Sequence, residues 1–264
     1  MSTQSQDEIL FRQDGALAFV TFNRPRARNA LTWNMYDRLL DYCERIDGTG
    51  EIRAVILTGA GDQAFVAGTD IAQFQAFRTP QDALAYEQRI ERVADRLERV
   101  GKPTIAMIRG YCVGGGLSLA LACDFRYASP DLKMGVPIAR TLGNCLSMSN
   151  YARVVDLVGP ARNKDLIMLA RMLDAREALA LGLVNEIVPV RQLLRRVKNV
   201  AQTLTTLAPL TLRATKEAVR RIQAHRRLAP GEGEDLIVSC YMSEDFRSAV
   251  AAFLEKRTHT WSGR

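Results

Sequence analysis

Histidine is scarce in this chain, and the residue patterns that bind metals or form disulfides are missing. The 264 residues include two histidines, His225 and His259, and five cysteines, no two of which have CxxC spacing. So few histidines argue against metal catalysis and against a Ser–His or Cys–His nucleophile. An odd number of cysteines argues against a disulfide framework and favours a reduced, cytoplasmic setting.

Long apolar runs and blocks of like charge are also lacking. No apolar run reaches the roughly 20 residues that a membrane span needs, and the start, MSTQSQDEIL, does not read as a secretory signal. The net charge is +7, but the arginines are dispersed and no stripe of interleaved aromatic and basic residues occurs. We therefore expect no membrane or nucleic-acid partner. The positive charge indicates either a solvated basic surface or a phosphorylated ligand.

Strand and helix signals alternate in the first half of the chain. Short apolar runs predict buried strands at residues 16–23, 53–59, 102–110 and 123–130. Helical spacing predicts amphipathic helices at 32–47, with Thr32 as the N-cap, and at 80–100. After about residue 142 the signals are nearly all helical, apart from a brief strand in LVNEIVP. The pattern predicts an α/β core followed by a helical C-terminal region.

Two segments, 55–74 and 104–124, share one order of signals: a buried strand, a glycine turn and the start of a helix. The first N–H groups of a helix have no partner within it and lie at the positive end of its dipole. Two such turns that face one point would bind a carbonyl oxygen that becomes an oxyanion. We assign the two donors to the N–H groups of Thr69 and Gly115. The alternative for either loop is tight packing that needs glycine, and neither has dinucleotide or Walker A spacing.

Six blocks of the sequence, in order, resemble the crotonase superfamily, the group of enoyl-CoA hydratases and isomerases. The blocks are FNRPRARNALTWNM, AVILTGAGDQAFVAGTDI, IRGYCVGGGLSLALACDFRYAS, DAREALALGLVNEIV, LRATKEAV and AFLEKR. The resemblance implies an α/β, crotonase-like spiral of ββα units over residues 1–200 and a C-terminal helical trimerisation region over 201–264. It also implies a homo-oligomer, either a trimer or a dimer of trimers.

The same resemblance implies an acyl-CoA substrate and a thioester enolate held by two backbone N–H groups. Those donors fall on Thr69 and Gly115; Thr69 replaces the commoner alanine, but only its backbone is needed. Coenzyme A enters as part of the substrate, and no permanently bound cofactor and no metal are implied. Residues that match the family's CoA contacts are Arg26, Arg28, Ala30, Ala67, Asp70, Ile71, Phe253 and Lys256.

Two of these matches carry further implications. Asp70 corresponds to a family aspartate that braces the oxyanion turn. Lys256 corresponds to a lysine that reaches CoA from a neighbouring subunit. The lysine that often follows the DI pair in this family is replaced here by Ala72, which removes one phosphate contact.

The chain departs from the family's hydratases where their two glutamates stand. Ser118 follows the glycine triplet by two residues, and Ile138 follows the proline of MGVP. No aspartate or glutamate lies between Asp131 and Asp156, so a small alignment shift restores neither acid. General acid–base catalysis contributes roughly 10²–10⁴-fold, and its usual groups are absent from these positions.

Three interpretations therefore stay open. The first is an active lyase or isomerase that uses other residues, with Ser118 and Asn144 positioning water and Arg140 or Asp70 assisting. The second is a weak, vestigial hydratase that works by polarising the thioester alone. The third is a non-catalytic acyl-CoA binding protein.

Overall fold

The computed structural model describes residues 7–229 and 231–264 and contains two β-sheets. The strands are β1 (Ile9–Asp14), β2 (Leu17–Phe22), β3 (Ala54–Gly59), β4 (Ala64–Val66), β5 (Thr104–Ile108), β6 (Tyr111–Val113), β7 (Phe125–Ala128), β8 (Lys133–Gly135), β9 (Met172–Leu173) and β10 (Glu186–Ile187). The larger sheet has the order β1-β2-β3-β5-β7-β10, and the smaller sheet has the order β4-β6-β8-β9.

The α-helices connect the two sheets in the first part of the chain and dominate its last part. They are α1 (Trp33–Gly48), α2 (Pro80–Glu98), α3 (Gly115–Leu121), α4 (Ile138–Thr141), α5 (Met148–Met168), α6 (Ala175–Ala180), α7 (Val190–Thr206), α8 (Pro209–Ala224), α9 (Glu234–Tyr241) and α10 (Glu244–Leu254). Short 3-10 turns occur at Pro25–Ala27 and Ile71–Ala76. Among the described residues, no helix is both long enough and apolar enough to cross a membrane.

One structural unit recurs along the middle of the chain. Each unit places a strand in the larger sheet, then a strand in the smaller sheet, then a helix: β3-β4-α2, β5-β6-α3 and β7-β8-α4. Successive units pair in parallel in both sheets, so the chain advances as a spiral. This confirms the predicted ββα spiral.

The larger sheet is covered on both faces, which explains the continuous apolar runs. Val55 and Leu57 of β3 pack in the core shared with α1 and α2. Ala54 and Ile56 point to the other face and pack under α7. Because side chains alternate along a strand, a sheet covered on both faces makes every position apolar.

The predicted helices begin and end close to where the sequence placed them. The hydroxyl of Thr32 accepts a hydrogen bond from the N–H of Met35, which confirms Thr32 as the N-cap of α1. The strands of the smaller sheet are only two or three residues long. A run that short shows no period of two, so the sequence did not predict this sheet.

The predicted boundary between residues 200 and 201 falls inside α7. Val197 and Ala201, on either side of it, pack in the same small core against the larger sheet. The helical region that follows the spiral therefore begins after α7, because this helix is part of the spiral's own packing. The trimerisation role of that region stays a prediction.

Candidate active site

The two glycine turns meet at one wall of a cavity. Gly68 and Gly114 have φ values of +110° and +53°, in the left-handed region that favours glycine. Leu31 holds the first turn from behind, donating to the carbonyl of Gly68 at 2.9 Å and accepting from the N–H of Asp70 at 2.9 Å. Successive N–H groups of an extended segment point to opposite sides, so the N–H of Thr69 points away from Leu31.

The N–H groups of Thr69 and Gly115 are both without an internal partner. Gly115 is the first residue of α3, where an N–H has no acceptor in the helix. Within the described ranges, neither amide donates a hydrogen bond to another protein group. A Cβ atom on Gly115 would lie 3.4 Å from Oγ1 of Thr69. Two neighbouring donors at one cavity can bind the same carbonyl oxygen.

Close packing also requires part of the glycine triplet. A Cβ on Gly116 would overlap the carbonyl oxygen of Val66, because α3 crosses directly over β4. A Cβ on Gly115 would come within 2.8 Å of the Tyr36 hydroxyl. Packing therefore constrains both Gly115 and Gly116, and Gly115 also borders the cavity.

The cavity beside these turns has a volume of about 810 Å³. All the site residues expected from the sequence line it, namely Thr69, Gly115, Ser118, Asn144, Arg26, Arg28, Ala30, Ala67, Asp70, Ile71, Phe253 and Lys256. The structure thus brings together residues that come from distant parts of the chain. Their individual roles stay predictions.

Exposed cations surround the mouth of the cavity. Arg26, Arg28, Arg140 and Lys256 line it and are exposed to solvent. None of them forms an ion pair with an acidic residue in the part of the chain that the structure describes. The guanidinium of Arg28 lies over the ring of Tyr111, 5.0 Å from its centroid. These cations are available to phosphate groups of a ligand.

Lys256 lines the cavity of its own chain. The reason is the packing of α10 against the 3-10 turn at Ile71–Ala76, where the rings of Phe74 and Phe246 lie 5.9 Å apart. Because α10 ends at Leu254, Lys256 follows it directly beside the cavity. The expected contact of Lys256 with CoA from a neighbouring subunit stays a prediction.

Asp70 is engaged in holding the first turn. Its carboxylate lies 3.0 Å from Nη1 of Arg24 and accepts from the N–H of Ala72 at 3.2 Å. Arg24 also donates to the carbonyl of Ala30 at 2.7 Å. These contacts tie the turn to the segment that carries Arg26 and Arg28, as a bracing aspartate would.

The two positions where hydratase glutamates were expected line the cavity without a carboxyl group. Ser118 is buried, with its Oγ 3.5 Å from the carbonyl of Gly114. Ile138 is buried as well, and the apolar side chains of Ile90 and Leu146 line the same cavity. Neither replaced position offers a carboxyl group.

A carboxyl group nevertheless reaches the cavity from another helix. Glu87 of α2 is 3% exposed and lines the cavity. Its Oε1 accepts from the hydroxyl of Tyr241 at 2.5 Å, and its Oε2 accepts from the N–H of Ser147 at 3.0 Å. Asn144 donates to the same tyrosine hydroxyl at 2.9 Å. Burial raises the pKa of Glu87 to about 7 against the opposing effect of the two hydrogen bonds.

Glu87 was not predicted from the sequence, although the sequence contains a signal. The buried face of α2 carries Ala83, Tyr86, Glu87, Ile90, Val93, Ala94 and Leu97. All of these are apolar or aromatic except Glu87, which therefore interrupts the apolar stripe of an amphipathic helix. An acidic residue on such a stripe is rarely buried without a reason.

The fold and the site define the class of this protein: a crotonase-type ββα spiral with a large cavity bordered by two glycine turns. The model of the enoyl-CoA hydratase/isomerase family matches residues 12–264. The chain belongs to this family, as its motifs predicted.

Relatives and solved structures agree with this assignment. The chain is 34% identical over 252 residues to the short-chain-enoyl-CoA hydratase of Clostridium acetobutylicum, covering 95% of this chain and 96% of that protein. An enoyl-CoA hydratase/carnithine racemase from Magnetospirillum magneticum matches with a TM-score of 0.80 and 33% identity, covering 98% and 97% of the two chains. A methylmalonyl-CoA decarboxylase in complex with 2-nitronate-propionyl-CoA matches with a TM-score of 0.88 and 26% identity, covering 98% and 100%.

Proposed function

We propose that this protein is an enzyme that binds an acyl-CoA thioester and stabilises its enolate with the N–H groups of Thr69 and Gly115. The pair of unpartnered amides beside one cavity is the observation that carries this proposal. The thioester oxygen gains negative charge as the enolate forms. Donors that are already in place stabilise that charge without reorganising during the reaction.

The cations at the mouth orient the substrate. Arg26, Arg28 and Lys256 meet the phosphates of CoA, which gives part of the +7 net charge a purpose. Ala30, Ala67 and Ile71 line the path of the pantetheine arm toward the glycine turns. CoA acts here as part of the substrate, and the enolate step itself asks for no resident cofactor. A homotrimer or hexamer and a cytoplasmic location remain predictions of the sequence.

The reaction belongs to the lyase or isomerase type, and simple hydration of an enoyl ester is not the expected reaction. Ser118 and Ile138 replace the two glutamates that the resemblance assigns to water activation and proton delivery. The same two positions favour a second candidate function, that of an acyl-CoA binding protein without turnover. An experiment must therefore separate enolate formation from binding.

The decisive test measures the incorporation of deuterium into acyl-CoA esters. The protein is incubated in D₂O with saturated, 2-enoyl-, 3-enoyl- and 2-carboxyacyl-CoA esters of several chain lengths, and the products are weighed by mass spectrometry. We expect deuterium at the α-carbon of at least one ester, since its enolate must form and collapse. A CoA thioether, which lacks the carbonyl oxygen, should bind at least about fivefold more weakly than the matching ester.

Two other results would decide against the proposal. Tight binding of ester and thioether alike, with neither exchange nor product for any ester, would establish the non-catalytic binder. Failure to bind CoA esters at all would remove the thioester from the site.

A further inference from the structure

The glutamate that the sequence lacks at residues 118 and 138 is supplied from a different helix. We propose that Glu87 of α2 is the catalytic acid–base residue, which takes a proton from the α-carbon of a 3-enoyl-CoA ester and delivers it to the γ-carbon. This inference rests on the proposed function, because it needs the thioester oxygen seated on the amides of Thr69 and Gly115. Its product is the conjugated 2-enoyl-CoA ester.

The position of Glu87 supports a role in contact with substrate. It lines the same cavity as Thr69, Gly115 and Ser118. Its neighbour Tyr86 donates to or accepts from Oγ1 of Thr69 at 2.8 Å, so α2 is tied directly to the first glycine turn. The carboxyl group therefore lines the cavity from the helix that contacts the first glycine turn.

Two donors fix the orientation of this carboxyl group without using up its capacity. Tyr241 and the N–H of Ser147 each occupy one oxygen. A carboxylate oxygen has two lone pairs, so each oxygen keeps one acceptor position for a substrate proton. Asn144 completes the arrangement: its Nδ2 donates to Tyr241, while its buried Oδ1 has no partner in the described part of the chain.

A second glutamate on α2 shows how the contacts of a carboxyl group that holds helices together differ from those of Glu87. Glu98, three turns further along, is also largely buried, and Arg153 and Arg227 pair with it at 2.7 Å and 3.0 Å. Glu87 is more deeply buried, yet no cation pairs with it among the residues that the structure describes. A buried carboxyl group without a cation is costly for folding, and such groups concentrate at sites of proton transfer.

The surroundings of Glu87 favour a group that both takes and gives a proton near neutral pH. Burial and the negative charge of Glu91 raise its pKa to about 7, against the hydrogen bonds from Tyr241 and Ser147, which lower it. The titratable groups that interact with Glu87 are Tyr36, Tyr86, Glu91, Cys145, Tyr151 and Tyr241. None of these groups is positively charged.

The step balances without a further reactant. The Glu87 carboxylate takes the proton as the α C–H bond breaks, and the electron pair delocalises onto the thioester oxygen held by the two amides. The neutral carboxylic acid then gives that proton to the γ-carbon: the electron pair of the β–γ double bond forms the new C–H bond, the enolate pair forms the α–β double bond, and the thioester carbonyl is restored. When the carboxyl proton is replaced by a deuteron from D₂O before it is delivered back to the α-carbon, the ester gains the deuterium that the test measures.

Glu87→Gln tests the inference, with Glu91→Gln as the matched control. A glutamine amide can accept from the N–H of Ser147 and donate to the Tyr241 hydroxyl, so the helix contacts survive. Glu91 lies one helical turn away on α2, outside the cavity, and accepts from Ser149 at 2.5 Å. We expect Glu87→Gln to slow isomerisation and deuterium exchange by roughly 10²–10⁴-fold. CoA-ester affinity and melting temperature should stay near wild-type values. Glu91→Gln removes a charge that raises the pKa of Glu87, so it should keep its activity above neutral pH and move the pH profile only toward acid.

The pH profile of the wild-type enzyme provides a test that needs no variant. Proton abstraction requires the ionised form of Glu87, so the exchange rate should rise as the pH increases through about 7. A flat profile between about pH 5 and pH 9 would overturn the inference. So would a Glu87→Gln variant that exchanges at the wild-type rate, and in that case the enolate proposal would survive. A wild-type protein that binds esters without exchange would instead overturn the proposed function itself.

Discussion

Thr69 has two separate tasks, because its amide and its hydroxyl have different partners. The amide faces the cavity, whereas Oγ1 lies 2.8 Å from the hydroxyls of both Tyr36 and Tyr86. Burial raises the pKa of both tyrosines, so both stay protonated. The threonine side chain therefore connects α1, α2 and the first glycine turn. From the sequence, only the backbone of Thr69 was expected to matter.

Thr69→Val should destabilise the fold while leaving the amide in place. Valine removes the oxygen between two buried tyrosine hydroxyls, and an unsatisfied buried polar group costs about 1–3 kcal/mol. We expect urea denaturation to show a loss of that size, with CoA-ester affinity reduced much less. Thr69→Ser keeps the oxygen and should stay within about 1 kcal/mol of the wild type. Equal stability of the valine and serine variants would show that the hydroxyl network contributes nothing.

At the scale of elements, α9 controls the environment of α2. Tyr241, the last residue of α9, is fully buried and donates its hydroxyl proton to Glu87. Rings of Phe74, Tyr86 and Phe246 surround it, with centroids 4.8–6.3 Å away. Although α9 is remote from α2 in sequence, its Tyr241 thereby orients the Glu87 carboxyl group and lowers its pKa against the effect of burial.

Tyr241→Phe should move the pH profile without abolishing activity. The lost hydrogen bond favours the carboxylate, so its removal raises the pKa of Glu87. A bond of about 0.5–1.5 kcal/mol corresponds to a shift of about 0.4–1 pH unit toward alkaline values. The rate of deuterium exchange in D₂O, determined at several pH values, measures this shift. Tyr151→Phe is the control, since Tyr151 lies near Glu87 but donates no hydrogen bond to it. An acid shift, or an unmoved profile, would contradict this role of α9.

Many of the helices and strands were predictable from the sequence, and those that were not predicted have a physical reason. The long strands, α1 and α2 were predicted from the spacing of apolar residues. A buried face repeats an apolar residue every two positions in a strand and every 3.6 positions in a helix. The strands of the smaller sheet have too few residues to repeat. Glu87 was missed because its surroundings come from α9 and from the loop before α5, which no local pattern of α2 reveals.

At the scale of the whole molecule, the excess positive charge is dispersed, but part of it meets at the cavity mouth. Arg26 and Arg28 lie near one 3-10 turn, and Lys256 follows the last helix. Only the folding of α10 against the 3-10 turn at Ile71–Ala76 brings these parts of the chain together. A phosphorylated ligand would face all three cations at once.

Arg26→Ala and Arg28→Ala should each weaken CoA binding by about two- to fivefold at low salt, a size typical of exposed ion pairs. The effect should shrink at high salt because screening already weakens these contacts. Titration calorimetry at two salt concentrations measures it. Arg195→Ala is the matched control: Arg195 is exposed on α7 and does not line the cavity. Equal losses of CoA affinity in all three variants would show that the net charge of the protein, and not the cations at the cavity mouth, determines binding.

The sequence by itself predicted the family and, through that resemblance, the spiral, because short segments keep their glycines, apolar runs and order in linear form. It also predicted the pairing of the Thr69 and Gly115 amides, whose role stays a prediction. The tertiary structure decided which polar groups meet in the cavity. Glu87, Tyr241 and Asn144 are separated by up to 154 residues, and they touch only because α9 packs against α2. Burial, which sets the pKa of Glu87, is a property of everything packed around it, so no local stretch of sequence could reveal it.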